Sequence, residues 1–465
     1  MNMTVIETTV KNGFCCGCGV CAGVCPSQNL AMEWNVYGEY NPVKLQDCKH
    51  ECGLCVTVCP FADGNPNEDD LGKLLYGNIP QIHYLLETGY FLSIRSGAVI
   101  DDAMRIRSAS GGLATWFLDE LLRRDIVDAV ICVHHNDDPQ KLFQFVIARS
   151  IEEIHEGAGS VYYPVEISEV LQYIRQNPGR YAIIGLPCLL KGLRLAQMKS
   201  VVLRERIVMM VGLACANQKS TYFTRYAAWK AGIPDGELFG VSYRKKNPEK
   251  RLARFFTFQF KDSMGKVITQ KWDDEIGLMY HNRFCTIHSC DCCDDMFAEC
   301  ADVCFMDAWL PEYICEPRGT SVWIARSMMA NEILMAGVAQ GLIYDREVNL
   351  DEMLAGQSSM RWKRELLGYR LTLMHNAGEM VPTKRVVPTE GKMLSKLEKT
   401  RCKAAFEIQR DGKKIFVTSG YAEVGVWFSS VWNNVSWHVK VGRIVAKYYS
   451  LCVTLGKYFV NKWKN

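Results

Sequence analysis

The chain has 465 residues, room for two or three domains with ample core. A net charge of +3, with 48% hydrophobic and 23% charged residues, is ordinary globular composition and implies no nucleic-acid footprint. Cysteine is the outlier, at 21. Residues Met1–Phe14 lack the apolar core of a signal peptide, and no run of about eighteen apolar residues suggests a membrane span. The expectation is a cytoplasmic protein, where thiols stay reduced and clustered cysteines read as metal ligands.

The first cluster opens the chain. Cys15, Cys18, Cys21 and Cys25 fall at gaps of two, two and three, and Pro26 follows. Cys48, Cys52, Cys55 and Cys59 repeat the pattern before Pro60, with the first gap widened to three. This is the spacing of a bacterial two-cluster ferredoxin, in which the cysteine before proline crosses to the other [4Fe–4S] cluster. The expected ligand sets are Cys15, Cys18 and Cys21 with Cys59, and Cys48, Cys52 and Cys55 with Cys25. A zinc site needs four ligands and gives no reason for two quartets each followed by proline. Residues 1–65 are therefore expected to form an α+β ferredoxin-like domain. Residues 66–92 read as a linker, because ADGNPNEDDL (62–71) is acidic and rich in turn formers, with a short helical connector through Tyr84–Leu86.

A second domain is expected over 93–383, α/β with a parallel or mixed sheet. Ser108-Ala109-Ser110-Gly111-Gly112 precedes Leu113, Trp116, Phe117 and Leu121, spaced for one helix face. Small residues before a helix suit an anionic group, because first-turn N–H groups lack internal partners. An ordinary serine N-cap is the competing reading. Val127–Val133 reads as a buried strand. Tyr181–Ile184 and Ile207–Val211 are apolar strands that run into Gly185-Leu186-Pro187-Cys188 and Gly212-Leu213-Ala214-Cys215, and each precedes a helix. In a parallel sheet both turns sit at strand carboxyl ends, where ligands bind. A pair of buried structural thiols is the alternative. Arg254–Phe260 and Lys266–Thr269 flank a turn and predict a hairpin.

Six cysteines follow within twenty residues: Cys285, Cys290, Cys292, Cys293, Cys300 and Cys304. Cys290 and Cys293 have chelate spacing, which serves iron or zinc. Residues 384–465 read as a polar linker and a tail. Val424–Asn465 has no acidic residue, while Lys440, Arg443, Lys447, Lys457, Lys462 and Lys464 face Val441, Ile444, Val445, Tyr448 and Cys452 at helical spacing. That suits an interfacial helix in peripheral contact with a membrane, a partner helix, or a terminal helix packed on its own domain.

Taken together, the Ser108–Gly112 loop, Gly159-Ser160-Val161-Tyr162, the two Gly-Leu-X-Cys turns, Cys290-X-X-Cys293-X-Asp295, Ala301-Asp302, Asp307-Ala308-Trp309 and Gly319-Thr320-Ser321 resemble the family of coenzyme F420 hydrogenase/dehydrogenase β-subunits. A two-cluster ferredoxin-type domain is fused in front. The chain departs from the family pattern at Met306, where glycine is usual, and at His288 and Ser289, where arginine is usual. The resemblance implies an iron–sulfur flavoprotein oxidoreductase that passes electrons between clusters, FAD and a two-electron carrier or substrate. The carrier would be coenzyme F420 or ferredoxin, and a partner subunit is admitted. The alternative is a non-catalytic electron-transfer subunit, since some bacterial members accompany polysaccharide synthesis. The implied FAD contacts are Ser108, Ser110, Gly111 and Gly112, with Gly159, Ser160 and Gly185 beside them. No acid–base residue stands out beyond His288 and Asp295 by location. A third [4Fe–4S] cluster is expected on Cys285, Cys290 and Cys293, with a fourth thiolate from a strand-end turn, Cys215 or else Cys188. Cys300 and Cys304, four apart on an expected helix, are a competing edge.

Overall fold

The two N-terminal cysteine sets sit on a hairpin and two short helices. The computed structural model describes residues 3–48, 52–247, 249, 252–272 and 274–434. In it β1 (Leu30–Trp34) pairs antiparallel with β2 (Tyr40–Lys44). The Asn35 side chain closes their turn by accepting from the Tyr37 and Glu39 amides. The helices Val20–Val24 and Leu54–Thr57 each start at a left-handed glycine, Gly19 (φ 80°) and Gly53 (φ 58°). Only glycine adopts that conformation without strain. The repeat places Cys21 and Cys55 at equivalent points, the second residue of each helix.

This unit shares its core with the rest of the chain. Val20, Val24, Ile167, Leu171, Leu189, Leu193 and Phe297 belong to one buried apolar cluster. A side chain at Gly23 would lie 2.8 Å from Leu171 Cβ. A segment this small buries little apolar surface alone, so it uses a neighbour's. The expected linker is likewise structured. Asn67 caps the helix Glu68–Tyr76 in a reciprocal box with Asp70, and β3 (His83–Leu85) pairs with β4 (Gly89–Phe91) where a helical connector is predicted. The acidic run that reads as loop is a helix first turn, where carboxylates face the positive end of the dipole.

The central layer is a mixed sheet of eight strands. In chain order these are β5 (Ser93–Val99), β6 (Ala129–His135), β7 (Phe143–Ala148), β8 (Tyr181–Gly185) and β9 (Ile207–Leu213). A separate three-stranded sheet follows, β10 (Leu238–Lys246), β11 (Phe256–Asp262) and β12 (Val267–Lys271), of which β11 and β12 are the predicted hairpin. The central sheet resumes with β13 (Val303–Asp307), β14 (Ser321–Ala325) and β15 (Ile343–Glu347), in the order β15-β5-β14-β13-β9-β8-β6-β7. The run β6, β8, β9 and β13 is parallel, and the outer pairs are antiparallel. Helices cover both faces of the parallel part, which is why β8 and β9 are apolar throughout rather than alternating.

Beyond residue 384 the described chain is part of the body, not a linker. Ser395 caps a helix of 24 residues, Lys396–Ser419, whose Cys402, Ala405, Ile408, Gly412 and Phe416 are buried. That stripe keeps the helical period, but small residues and intervening lysines dilute it. In the next helix, Tyr421–Asn434, Val424, Phe428 and Val431 enter a core with Tyr226 and Phe284. The basic residues from Lys440 onward, and the membrane contact read from them, lie outside the described residues. Among the described helices none is long and apolar enough to cross a membrane.

Candidate metal centre and cofactor site

The two Gly-Leu-X-Cys turns end adjacent parallel strands, with Gly185 and Gly212 as register partners. The close approach each glycine permits is to the protein's own chain. A Cβ on Gly212 would lie 2.4 Å from Ala298 Cβ, so this glycine seats the 290–301 cysteine loop on the strand end. The Cys215 amide donates to Met296 O (2.9 Å), fixing the same loop. Cys290 sits on the short turn His288–Asp291, and the Gln218 amide donates to its Sγ (3.2 Å). The Cys215 thiol lies within electrostatic reach of Cys188, Cys290, Cys293 and Lys363. The structure thus gathers Cys188, Cys215, Cys290 and Cys293.

Lys363 closes this group. Its side chain is 1% exposed, and its Nζ donates to Cys293 Sγ (3.1 Å) and Asp295 O (2.6 Å). Burial opposes its charge, but Cys293, Cys215 and Cys290 hold its pKa above the usual lysine value. Burial pushes Cys290 up to about 12. Cys188 moves the other way, lowered chiefly by a hydrogen bond with Cys16, and further by Lys363, against burial. A buried ammonium among four thiols calls for negative charge, which a thiolate-bound cluster brings. No group of three or more His, Cys, Asp or Glu among the described residues could hold a single ion. A four-iron cube is a different demand, since each thiolate binds its own corner.

Cys285 stands apart from these four. It is fully buried, and its electrostatic neighbours are Lys219, Lys413, Ser220 and Glu39. The spacing allowed it to reach, but residues 285–287 lead away from the cysteine loop: Thr286 bridges to Lys219 and the Ser220 amide donates to Cys285 O. Cys188, the alternative fourth thiol, is the one that lies within electrostatic reach of Cys215 together with Cys290 and Cys293. Cys304 lies on β13 and not on a helix, and Cys300 faces Glu68, Asp295 and Lys191.

In the N-terminal unit, Cys15, Cys18, Cys21 and Cys59 lie within one another's electrostatic reach. The Gly17 amide donates to Cys15 Sγ (3.4 Å), and Thr9 Oγ1 lies 3.6 Å from Cys59 Sγ. Burial pushes Cys15 up to about 12 and Cys59 to about 11. Cys55 has Cys52 and Cys48 as neighbours, and those two are exposed. Cys25 caps the helix Val20–Val24.

The two thiol regions touch. Phe14 stacks on His288 (centroids 5.5 Å apart), and Ser289 Oγ donates to Cys15 O (3.4 Å). Cys16, fully enclosed, interacts with both Cys18 and Cys188. His288 is committed to this junction, with Gln409 Oε1 at 3.5 Å and Glu379 at 3.8 Å. The Asp295 carboxylate accepts the Glu299 amide (3.1 Å).

On the same edge of the sheet, the Ser108–Gly112 loop is held by its own hydroxyls. Ser108 Oγ donates to Met104 O (2.9 Å) and Ser110 Oγ to Thr320 O (2.7 Å). The Gly111 amide donates to Ser321 Oγ (2.9 Å), and a Cβ on Gly111 would lie 2.8 Å from Gly97 O and Ser321 N. Gly112 (φ 83°) starts the helix Leu113–Arg123 with no side-chain cap, which leaves first-turn amides for an anion. Lys246 Nζ donates to Arg105 O, Ser110 O and Arg318 O, each at 2.6 Å, and burial lowers its pKa to about 7. Nearby, Arg244 makes a bidentate pair with Asp307 (2.8 and 3.0 Å). Its neighbour Tyr162 bonds to Ser160, and Tyr280 lies within reach of Tyr162, Arg244 and Cys215. Gly159 has nothing within 4 Å of a Cβ, and Gly185 is buried at its strand end.

Sequence reasoning missed Lys246, Arg244 and Lys363. The first two share one face of β10 through the two-residue period, which was a usable signal. Lys363 carried none, because it reaches the thiols from a distant helix, Ser359–Lys363.

Two family models match in tandem, both described as coenzyme F420 hydrogenase/dehydrogenase, beta subunit. Residues 94–172 match the model of its N-terminal part, and residues 179–350 match the model of its C terminus. Among curated proteins, the F subunit of F(420)H(2) dehydrogenase from Methanosarcina mazei is 22% identical over 217 residues, 45% of this chain and 55% of that protein. Coenzyme F420-dependent sulfite reductase of Methanocaldococcus jannaschii is 24% identical over 193 residues, 41% of this chain and 26% of that protein. The chain thus spans about half, or a quarter, of these relatives. A chain of the solved F420-reducing [NiFe] hydrogenase complex from Methanosarcina barkeri aligns at TM-score 0.49 and 20% identity, covering 64% of this chain and 99% of that one.

Proposed function

Because the chain belongs to the family of coenzyme F420 hydrogenase/dehydrogenase β-subunits, we propose that it is an oxidoreductase passing electrons between [4Fe–4S] clusters, FAD and a two-electron carrier. Coenzyme F420 is the carrier favoured by the names of its relatives, with ferredoxin as the other candidate. One observation carries the reading: Cys188, Cys215, Cys290 and Cys293 lie within electrostatic reach of buried Lys363, which donates to Cys293 Sγ (3.1 Å), and Cys188 interacts with Cys16 of the N-terminal loop. Clusters bound there and in the N-terminal unit would supply one-electron transfer, and FAD would supply the exchange between one- and two-electron steps.

The chain's own residues divide that work. The thiols hold iron, while the Gly17 and Gln218 amides and Lys363 donate to sulfur. The Ser108–Gly112 turn offers helix amides to the FAD pyrophosphate, and Lys246 adds charge beside it. Gly159, Ser160 and Gly185 border the same edge. Tyr162 and Tyr280 bridge from that edge to Cys215. The match to one subunit of a dehydrogenase supports a partner subunit as well, and the near-neutral charge gives no support to a nucleic-acid partner.

The test is anaerobic mixing of purified chain with reduced coenzyme F420, and separately with reduced ferredoxin. The reading expects visible bleaching of the clusters matched by oxidation of one of the two carriers. Cluster-replete, flavin-replete protein that exchanges electrons with neither would overturn it.

A further inference from the structure

We propose that Lys363 sets the redox potential of the four-thiol centre, an inference that rests on that centre holding a [4Fe–4S] cluster. The arginines around the cysteine loop are matched by acids. Arg283 and Arg370 share Asp291 (2.6 and 3.2 Å), and Arg364 pairs with Glu299 (2.7 Å). Lys363, which precedes Arg364 in the chain, gives its hydrogen bonds to Cys293 Sγ and to the carbonyl of Asp295, whose carboxylate also lies within its electrostatic reach. It is 1% exposed, so solvent and salt do little to screen it. Its Nζ lies 3.1 Å from Cys293 Sγ, so its charge sits against a ligand sulfur.

Reduction of a cluster adds one electron and therefore one negative charge to the thiolate-bound group. A fixed positive charge in direct contact with a ligand sulfur stabilises the reduced form more than the oxidised one, as do hydrogen bonds to the sulfur. The reducing electron comes from the mediator in the test and from the adjacent N-terminal centre in turnover. Lys363 is a positioning residue: it touches a ligand sulfur and not the carrier. It is carried by the short helix Ser359–Lys363, which lies past the matched residues 179–350.

The experiment compares anaerobically purified full-length chain with Lys363→Met and Lys363→Arg, by iron content and by a redox titration followed by paramagnetic resonance. Lys363→Met should retain its iron. Poised at the wild-type midpoint, its third centre should show a reduced-to-oxidised ratio at least about tenfold lower, ~59 mV for a one-electron couple. The N-terminal centres should not move, and Lys363→Arg should restore most of the shift. An unchanged midpoint with full iron overturns the proposal. Should Lys363→Met lose the third centre's iron, Lys363→Gln decides, because it keeps an N–H donor without the charge. Retained iron with a lowered midpoint supports charge tuning, and lost iron overturns it. Failure of the underlying cluster reading is distinguishable, since wild-type protein would then show only the iron of the N-terminal unit.

Discussion

Gly185 and Gly212 face each other across adjacent parallel strands, and each is followed three residues later by a cysteine. That register makes Cys188 and Cys215 neighbours at the carboxyl ends of two central strands, where the 290–301 loop is seated against Gly212. A repeated tetrapeptide in the sequence thereby places two thiols side by side, as half of the four-thiol site proposed above.

The ligand set is open to direct test. Cys188→Ser should lose about four of about twelve iron atoms per chain, as Cys290→Ser should, since each [4Fe–4S] cluster carries four. Cys285→Ser should retain all of them. Iron measured by metal analysis on anaerobic protein checks this, and iron loss in Cys285→Ser with none in Cys188→Ser would put Cys285 back among the ligands.

Arg385 ties the cysteine loop to the N-terminal side. It reaches Glu299 (2.7 Å), Asp69 (2.9 Å), Asp294 (3.2 Å) and Glu68 (3.7 Å) with 6% of its side chain exposed. Burial works against the charge of Asp294, yet Lys384 and Arg385 hold its carboxyl below the usual range. Removing the guanidinium strands several buried carboxylates. Arg385→Ala should cost about 3–5 kcal/mol in urea unfolding, and release of iron to a chelator should accelerate.

Lys246 gives a pH dependence with a definite sign. Burial lowers its pKa to about 7, so its charge is present below that pH and lost above it. An anion bound beside Ser110 favours the protonated form, so binding takes up a proton. FAD affinity of flavin-stripped protein should fall from about pH 6 to about pH 9, by at most about tenfold per pH unit for one linked proton. Fluorescence titration at constant ionic strength measures it, and Lys246→Met should flatten the profile.

The last described helix belongs to the core. Phe428 is 2% exposed and sits edge-on to Phe284 at 5.9 Å. Phe428→Ala should destabilise by about 3–5 kcal/mol in thermal or urea unfolding. A value near zero would return this segment to the status of a loose tail.

What the sequence made legible was local. Cysteine spacing, the strand–Gly-Leu-X-Cys–helix repeat and the β11–β12 hairpin are patterns within a few residues, and physical periodicities report them faithfully. The spacing groups Cys15, Cys18, Cys21 and Cys59, and the fold brings these four within one another's electrostatic reach. What stayed hidden was set by tertiary contact. Cys285 is close to Cys290 in sequence, but its backbone (φ 52°) turns the chain toward Lys219. Gly111 reads as a ligand cradle yet is required by Gly97 O and Ser321 N, so Gly111→Val would disturb the sheet edge before any flavin. Residues 67–76 and 396–419 read as linker because charge outweighs a cap and a small-residue stripe in composition. The capping boxes at Asn67 and Ser395 were the better evidence.

In the function proposed above, this chain joins three iron–sulfur centres to one flavin. The most direct measurement is the ratio of iron to FAD released on denaturing anaerobically purified protein, with zinc measured alongside. The account predicts about twelve iron atoms per chain, one FAD and no zinc. About eight iron atoms with one zinc, or cluster-replete protein that releases no flavin, would contradict it.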